Sequence, residues 1–385
     1  MNDIRRTILW VIFGFSMVLL WDKWQLHNGN KATFFPSPAA VGAAAPAAGA
    51  SAPLAGAASV PASTAPAVAS IGASAVPGTP APAAPAAREK IEVTTDVYRL
   101  TFDGEGGSLT HAELLKHADM TDKAKNFVLF DESTQRVYAA QTGLIGGSFP
   151  THKTVMTAVP GPRALKDGEN ELTIRFESPE QGGVKLVKTW TLKRGAYDIA
   201  VKHEVVNVGS TAVSPQLYLQ LVRDGNKPPG ESSFYSTFTG PAVYTDAKKY
   251  QKIEFKDIEN GKVDIPKESP NGYVAMVQHY FASAWLLADG VQRELFTRKV
   301  SDNLYSVGMI TPLGNIDPGT TKAVDARLFA GPQVETMLEK LSTGLDLVKD
   351  YGWLAILSKP LYWLLDQLHK LLGNWGWSIV ALVLL

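Results

Sequence analysis

The chain opens with its most hydrophobic continuous run. Residues 8–21 (ILWVIFGFSMVLLW) carry no charge, with Arg5 and Arg6 before them and Asp22 and Lys23 after. As a helix this run spans about 21 Å, short of the roughly 30 Å hydrocarbon core; residues 4–24 span about 31 Å if the flanking Arg and Lys side chains snorkel outward. The pattern predicts a transmembrane anchor over residues 1–26, with Trp10, Trp21 and Trp24 near the headgroups. Arg5 and Arg6 favour a cytoplasmic N-terminus, so the following chain emerges on the far side. No small-x-small cleavage site follows the run; Trp-Asp-Lys-Trp-Gln does, which favours a retained anchor over a removed signal peptide.

Residues 36–87 contain neither a charge nor an aromatic and are nearly all Ala, Pro, Gly, Ser, Thr and Val. Such a stretch has few large side chains to bury against its conformational entropy, and its repeated prolines interrupt any long alanine helix. It predicts a disordered linker over 27–87, with a coil dimension on the order of 40 Å.

From about residue 88 the period becomes two. Residues 97–102 place Tyr98, Leu100 and Phe102 on one face, residues 172–176 alternate cleanly, and Tyr197, Ile199, Val201, His203 and Val205 share a face. Trp190 and Leu192 lead into Arg194-Gly195, a hairpin turn signal. Further strand-like runs cover 216–222, 272–279, 282–287, 304–310 and 321–329. Many short strands separated by Gly, Pro, Asn and Asp predict stacked antiparallel sheets, and the absence of a composition break predicts one large β-sandwich over 88–332.

Beyond Gly331-Pro332 the period becomes helical. Val334, Met337, Leu338 and Leu341 fall at i, i+3, i+4 and i+7, predicting a helix packed on the sheet edge within 333–350 and a soluble domain that ends near Thr343. In 351–373, Pro360 predicts a helix break or start, with Ser358 as its N-cap. Past it, Leu361, Leu364, Leu365, Leu368, Leu371 and Leu372 form a wide apolar face opposite Lys359, Tyr362, Asp366 and Lys370. With Trp353, Leu357 and Trp363 this face suits a helix lying in the membrane interface; an ordinary core-packing helix is the alternative. Residues 375–385 (WGWSIVALVLL) are uncharged and make about 16 Å of helix, half a bilayer. They predict the incomplete start of a second transmembrane helix over 374–385, with Trp375 and Trp377 at its interfacial end.

Composition narrows the chemistry. Lys+Arg and Asp+Glu both number 37, so there is no broad basic field for nucleic acid, and the phosphate-cradling pattern GxxxxGK[ST] is missing. The chain has no cysteine, which excludes disulfides, thiolate metal sites and cysteine nucleophiles. Seven histidines show no ligand spacing, no GxSxG elbow is present, and residues 104–108 read as a glycine turn. His203, on an apolar strand face, reads as a satisfied core histidine. These patterns point to no catalytic residue, no cofactor and no metal.

Tyr351-Gly-Trp-Leu354, Lys359-Pro-Leu361, His369 and above all Gly373-Asn-Trp-Gly-Trp-Ser-Ile379 resemble the entry to the membrane region of the YidC membrane protein insertases. Val93-Thr-Thr-Asp96 with Gly106-Gly107, Thr191-Leu-Lys-Arg-Gly195, Tyr273-Val-Ala-Met276 with Tyr280-Phe-Ala-Ser-Ala-Trp285, and Pro318-Gly319 resemble the large periplasmic domain of the Gram-negative members. The resemblance covers the chain outside the linker. It implies a galactose mutarotase-like β-supersandwich in the periplasm, followed by helices leading into the bacterial inner membrane. It implies a non-enzymatic insertase without nucleotide or metal, whose partners are nascent membrane proteins, the Sec translocon and the lipid bilayer. It also implies a five-helix bundle with a groove arginine that would follow Leu385. Two other readings remain: a membrane-anchored periplasmic carbohydrate-binding or mutarotase-like enzyme, which needs His and Glu side chains converging in a cleft, and a structural tether. Fold alone does not establish the former, and the second apolar segment argues against the latter.

Overall fold

The computed structural model describes residues 88–228, 238–349 and 355–384, with backbone alone over 355–359. The anchor predicted over 1–26 and the linker over 27–87 lie outside these residues, as do Trp10, Trp21, Trp24 and Trp353.

Two nine-stranded sheets make up the β-domain. In the first, β1 (Lys90–Thr94), β2 (Tyr98–Asp103), β3 (Ser108–Ala118), β4 (Asn126–Glu132) and β5 (Val137–Ile145) run in chain order. It continues through β10 (Gln216–Asp224), β17 (Leu304–Pro312), β16 (Arg293–Ser301) and β13 (Glu268–Ser269). The second runs from β12 (Lys249–Lys252) through β11 (Gly240–Thr245), β14 (Tyr273–Gln278), β15 (Phe281–Leu287) and β18 (Thr321–Pro332). It closes with β9 (Asp198–Asn207), β8 (Val184–Lys193), β7 (Glu171–Glu177) and β6 (Thr157–Ala158). Neighbouring strands pair antiparallel, so the protein is mainly β, a large two-sheet sandwich with helices at its C-terminal side.

The alternation read from sequence sets the core. β7 alternates exposed and buried at every position, and the inward residues of β9 are Ile199, Val201, His203 and Val205. The predicted turn lies between β8 and β9, where Gly195 takes φ +71°, a conformation that costs glycine little. Side chains from the two sheets meet in the middle: Phe102 packs against Trp190 at 5.1 Å between ring centroids, and Trp285 Nε1 donates to Gln220 O at 3.0 Å. Tyr138 on β5 reaches across to Ser283 on β15, with 2.6 Å between their hydroxyl oxygens.

A helix α1 (Phe255–Glu259) packs beside β16, and α2 (Glu335–Leu341) follows β18. In α2, Leu338 is buried while Met337 and Leu341 pack partly against the core; Val334, just before the helix, stays exposed. Two expectations need correction. A 3-10 turn over Leu345–Val348 buries Leu345 and Val348 completely, and Tyr273 Oη donates to Gly344 O at 2.7 Å. The apolar core therefore runs past Thr343. The next helix, α3, spans Ala355–Leu372 and continues through Pro360, so neither a break nor a start occurs there and Ser358 lies inside the helix. Pro360 removes one N–H bond from the ladder, and the leucine-rich turns after it carry the helix on. The last helix, α4, spans Trp375–Leu384. No described helix is both long and apolar enough to cross a membrane.

Candidate membrane-interface site

Among the described residues, 17 large hydrophobic side chains are exposed, and 11 of them fall in 361–384. Among the described residues, exposed apolar side chains are thus concentrated in this C-terminal segment, whereas scattered exposed leucines elsewhere would be ordinary.

The patch is built on an elbow with its own local logic. Gly373 takes φ +62° as the left-handed residue ending α3, and its N–H donates to His369 O at 2.8 Å. Asn374 then caps α4: its Oδ1 accepts from Gly376 N at 2.8 Å and Trp377 N at 3.3 Å. Ser378, the one buried residue of α4, donates its hydroxyl to Asn374 O at 2.7 Å. Across the bend the His369 and Trp375 rings stack at 3.8 Å between centroids and 7° between planes. The elbow thus joins an amphipathic helix about 27 Å long to an uncharged one about 15 Å long.

Leu361, Trp363, Trp375 and Trp377 are exposed, Trp363 at 63% and Trp377 at 67%. Leu364 and Leu368 are half-buried. The backbone of Leu357 belongs to α3, while its side chain and Trp353 lie outside the described residues. On the polar side, Lys370 pairs with Asp366 one turn away at 2.7 Å, and the ammonium of Lys349 sits 4.2 Å from the ring centroid of Tyr362. Sequence reading missed the His369–Trp375 stack and the Asn374 cap. The Gly-Asn pair between two apolar helices was the available signal for the cap.

The core holds the other candidate chemistry. Lys188, on β8, is fully buried and donates from Nζ to Gly106 O and Thr142 O, both at 2.6 Å. Burial drives its ammonium down to about 7. His203, opposite Lys188 on β9, is 2.9 Å from Thr142 Oγ1, and His152 Nδ1 is 2.6 Å from Tyr218 Oη. Burial, reinforced by the Lys188 charge, pushes both imidazoles down to about 3. The partners of these histidines are a threonine and a tyrosine inside the core. His203 is the core histidine expected at that position, bonded through Nε2, while its Nδ1 and His152 Nε2 have no hydrogen-bond partner among the described residues. Residues 104–108 form the expected glycine turn, where a Cβ on Gly106 would lie 2.4 Å from His152 O. One carboxylate trio, Glu335, Glu339 and Asp346, has ligand atoms within 4.8 Å of one another, and Lys349 stands 3.8 Å from Glu335 to offset their charge.

Comparison with known proteins gives a consistent result. Residues 90–364 match the family described as YidC periplasmic domain. A protein named membrane protein insertase YidC from Janthinobacterium sp. (strain Marseille) is 48% identical over 384 residues, covering 99% of this chain and 67% of that protein. One of the same name from Cupriavidus necator is 52% identical over 383 residues, covering 100% and 67%. The chain thus spans about two thirds of the length of these relatives. Among solved structures, a galactose mutarotase related enzyme from Lactobacillus acidophilus aligns with a TM-score of 0.40 and 9% identity, covering 63% of this chain and 97% of that one.

Proposed function

This chain belongs to the family of YidC membrane protein insertases, and we propose that within that work it positions α3 in the outer membrane interface beside the path of nascent membrane proteins. In this reading residues 1–26 anchor the chain with a cytoplasmic N-terminus, and 27–87 are a tether. The β-sandwich over 88–332 and the edge helix of 333–350 stand in the periplasm, 351–373 lies in the interface, and 374–385 enters the bilayer. Trp10, Trp21, Trp24, Trp353, Leu357, Leu361, Trp363, Leu364, Leu368, Trp375 and Trp377 are the proposed lipid-facing residues. The partners are nascent membrane proteins, the lipid bilayer and the Sec translocon. The work is non-covalent: several kcal/mol oppose each unsatisfied polar group of a loop crossing hydrocarbon, and a positioned, partly hydrated route lowers that cost.

The observation that carries the reading is the elbow. An apolar surface left exposed on both helices is costly in water and satisfied in lipid, and the capped, stacked bend at residues 369–375 fixes the angle between a helix lying flat and one pointing inward. The amphipathic direction of α3, with Lys370 and Asp366 on its polar side, supports the flat placement.

Two measurements test this. Single cysteines at Ser51 and Asn260, in a chain that has none, should react with a membrane-impermeant maleimide from outside spheroplasts; protection of both until lysis contradicts the topology. His369→Ala combined with Asn374→Ala in the full-length protein should impair membrane-protein insertion while the β-domain melts as before. Unimpaired insertion removes the elbow from the mechanism.

A further inference from the structure

The 3-10 turn over Leu345–Val348 is fastened to the β-domain from several directions. Leu345 and Val348 are fully buried, and Gly344 O accepts from Tyr273 Oη at 2.7 Å. The Tyr273 ring stacks on Tyr244 at 5.4 Å between centroids. Gly344, at φ +73°, lies so close to Tyr244 that a Cβ there would come within 2.4 Å of the ring. The core therefore places the backbone of Lys349, the residue that follows Val348. Its ammonium lies between two helices, 3.8 Å from Glu335 Oε2 of α2 and 4.2 Å from the centroid of the Tyr362 ring of α3. Glu339 and Asp346 stand beside Glu335, with ligand oxygens of the three within 4.8 Å of one another. The Lys349 and Glu335 side chains are 24% and 19% exposed, so solvent screens this pair less than the ion pairs of the open surface.

The side of α3 that meets Lys349 is the polar one. Tyr362, Asp366 and Lys370 recur every fourth residue and form one line along the helix, with Asp366 and Lys370 paired within it. Leu361, Leu364 and Leu368 lie on the opposite side. A chain connection fixes where a helix begins and leaves its rotation about its own axis free. A contact made on one line of the helix removes that freedom. Gripped at Tyr362, α3 turns its leucines away from the β-domain.

We propose that Lys349 is a positioning residue for insertion: held against Glu335 on the β-domain, its ammonium clasps the Tyr362 ring and sets the rotation of α3, so that the leucine side faces lipid. This inference rests on the interfacial placement of α3 proposed above and adds the device that orients the helix. The clasp needs both a charge and an aromatic face. Arginine can supply the same charge and phenylalanine the same face, whereas methionine and leucine supply only bulk. The carboxylates of Glu335, Glu339 and Asp346 keep the ammonium at the junction instead of in solvent.

The full-length protein, otherwise free of cysteine, is spin-labelled through Asn260→Cys beside α1 and Gln367→Cys on α3, both exposed, and reconstituted in phospholipid nanodiscs. Electron–electron resonance then reads the distance between domain and helix. Lys349→Met and Tyr362→Leu should each raise the population outside the parent's distance peak roughly two- to tenfold, the factor implied by losing a cation–π contact of ordinary strength. Insertion of a dependent membrane protein should fall in the same two variants. Lys349→Arg and Tyr362→Phe should keep the parent's peak and its insertion, and Lys349→Met combined with Tyr362→Leu should be no worse than either alone. The Tyr362 variants should leave β-domain melting unchanged, which separates positioning from folding. Parent-like distances and insertion in Lys349→Met overturn the proposal, and so does an arginine variant that behaves like the methionine one. An NBD label at Leu361→Cys, tested separately against headgroup spin-labelled lipid, reports the placement of α3. Quenching there with unaltered distances in Lys349→Met overturns the clasp alone, whereas no quenching in the parent overturns the interfacial placement and the lipid-facing role of the clasp with it.

Discussion

Lys188→Met should flatten part of the stability–pH profile of the β-domain in a calculable way. In the unfolded chain a lysine keeps its proton up to about pH 10.5, whereas burial lets Lys188 give it up near pH 7 in the folded state. Between those values the unfolded state binds one proton more than the folded state, so stability rises with pH by about 1.4 kcal/mol per unit. The contribution is lowest below pH 7 and complete above pH 10.5. Between pH 7.5 and 9.5 the wild type should therefore gain roughly 2–3 kcal/mol relative to the methionine variant. The comparison cancels the tyrosines, which titrate equally in both proteins. The structure supports a neutral amine: its two N–H bonds meet Gly106 O and Thr142 O, and that is the number of donors a neutral amine offers. Losing those donors costs the variant a roughly constant amount, which shifts its whole curve without changing its slope. Urea denaturation of the full chain in detergent, followed by tryptophan fluorescence at several pH values, reads the effect. Parallel profiles from pH 7.5 to 9.5 would refute the reasoning.

The acid side should behave in the same sense, stability rising with pH, because His152 and His203 are held neutral down to about pH 3 while unfolded histidine protonates near pH 6.5. Their stability is complete above pH 6.5 and falls as pH drops toward 3, by up to about 1.4 kcal/mol per unit for each, and a urea midpoint flat from pH 6.5 to 4.5 would contradict it. Arg293→Met should destabilise the domain by at least about 3 kcal/mol, several degrees of melting temperature. The buried guanidinium donates to the carbonyl oxygens of Gly272 and Ala288 at 2.7 and 2.6 Å, and a near-normal melt would show that those oxygens find other donors. A soluble domain cut after Lys349 should melt cooperatively, whereas one cut after Thr343 loses the buried Leu345 and Val348 and should melt lower by several kcal/mol. Equal melting of the two would place those side chains outside the core.

Alternation made the half-buried strands legible, and its failures are equally physical. β7 exposes every second residue and β9 buries every second one, so both stand out from the sequence alone. In β11 and β15 every residue is buried, so no period separates their faces, and β15 was readable only as a short apolar run. β3 (SLTHAELLKHA) is rich in helix formers and is a strand because β2 and β4 pair with it, bulges included. Lys188 could have been found: Leu186, Trp190 and Leu192 share its face, and the alternation that places them inside places the lysine inside too. Pro360 stays inside the helix because the apolar turns on both sides of it outweigh a proline's local penalty. At the elbow, Gly373 and Asn374 carried ordinary capping chemistry. The His369–Trp375 stack was not legible, since a bend brings together residues six apart that a continuous helix would hold on different faces.

The central claim is that the apolar side of α3 belongs to the membrane and serves insertion, not to the core of the β-domain. Replacing Leu361, Leu364 and Leu368 with Asp in the full-length protein tests it most directly. Each carboxylate forced into an apolar layer costs several kcal/mol, enough to lift the helix from the interface. The account predicts that insertion of a dependent membrane protein falls sharply while the β-domain of the same preparation still melts cooperatively at the parent's temperature. Collapse of domain melting would assign those leucines to the core. Unimpaired insertion, with the variant helix shown by lipid quenching to remain in place, would contradict the positioning role.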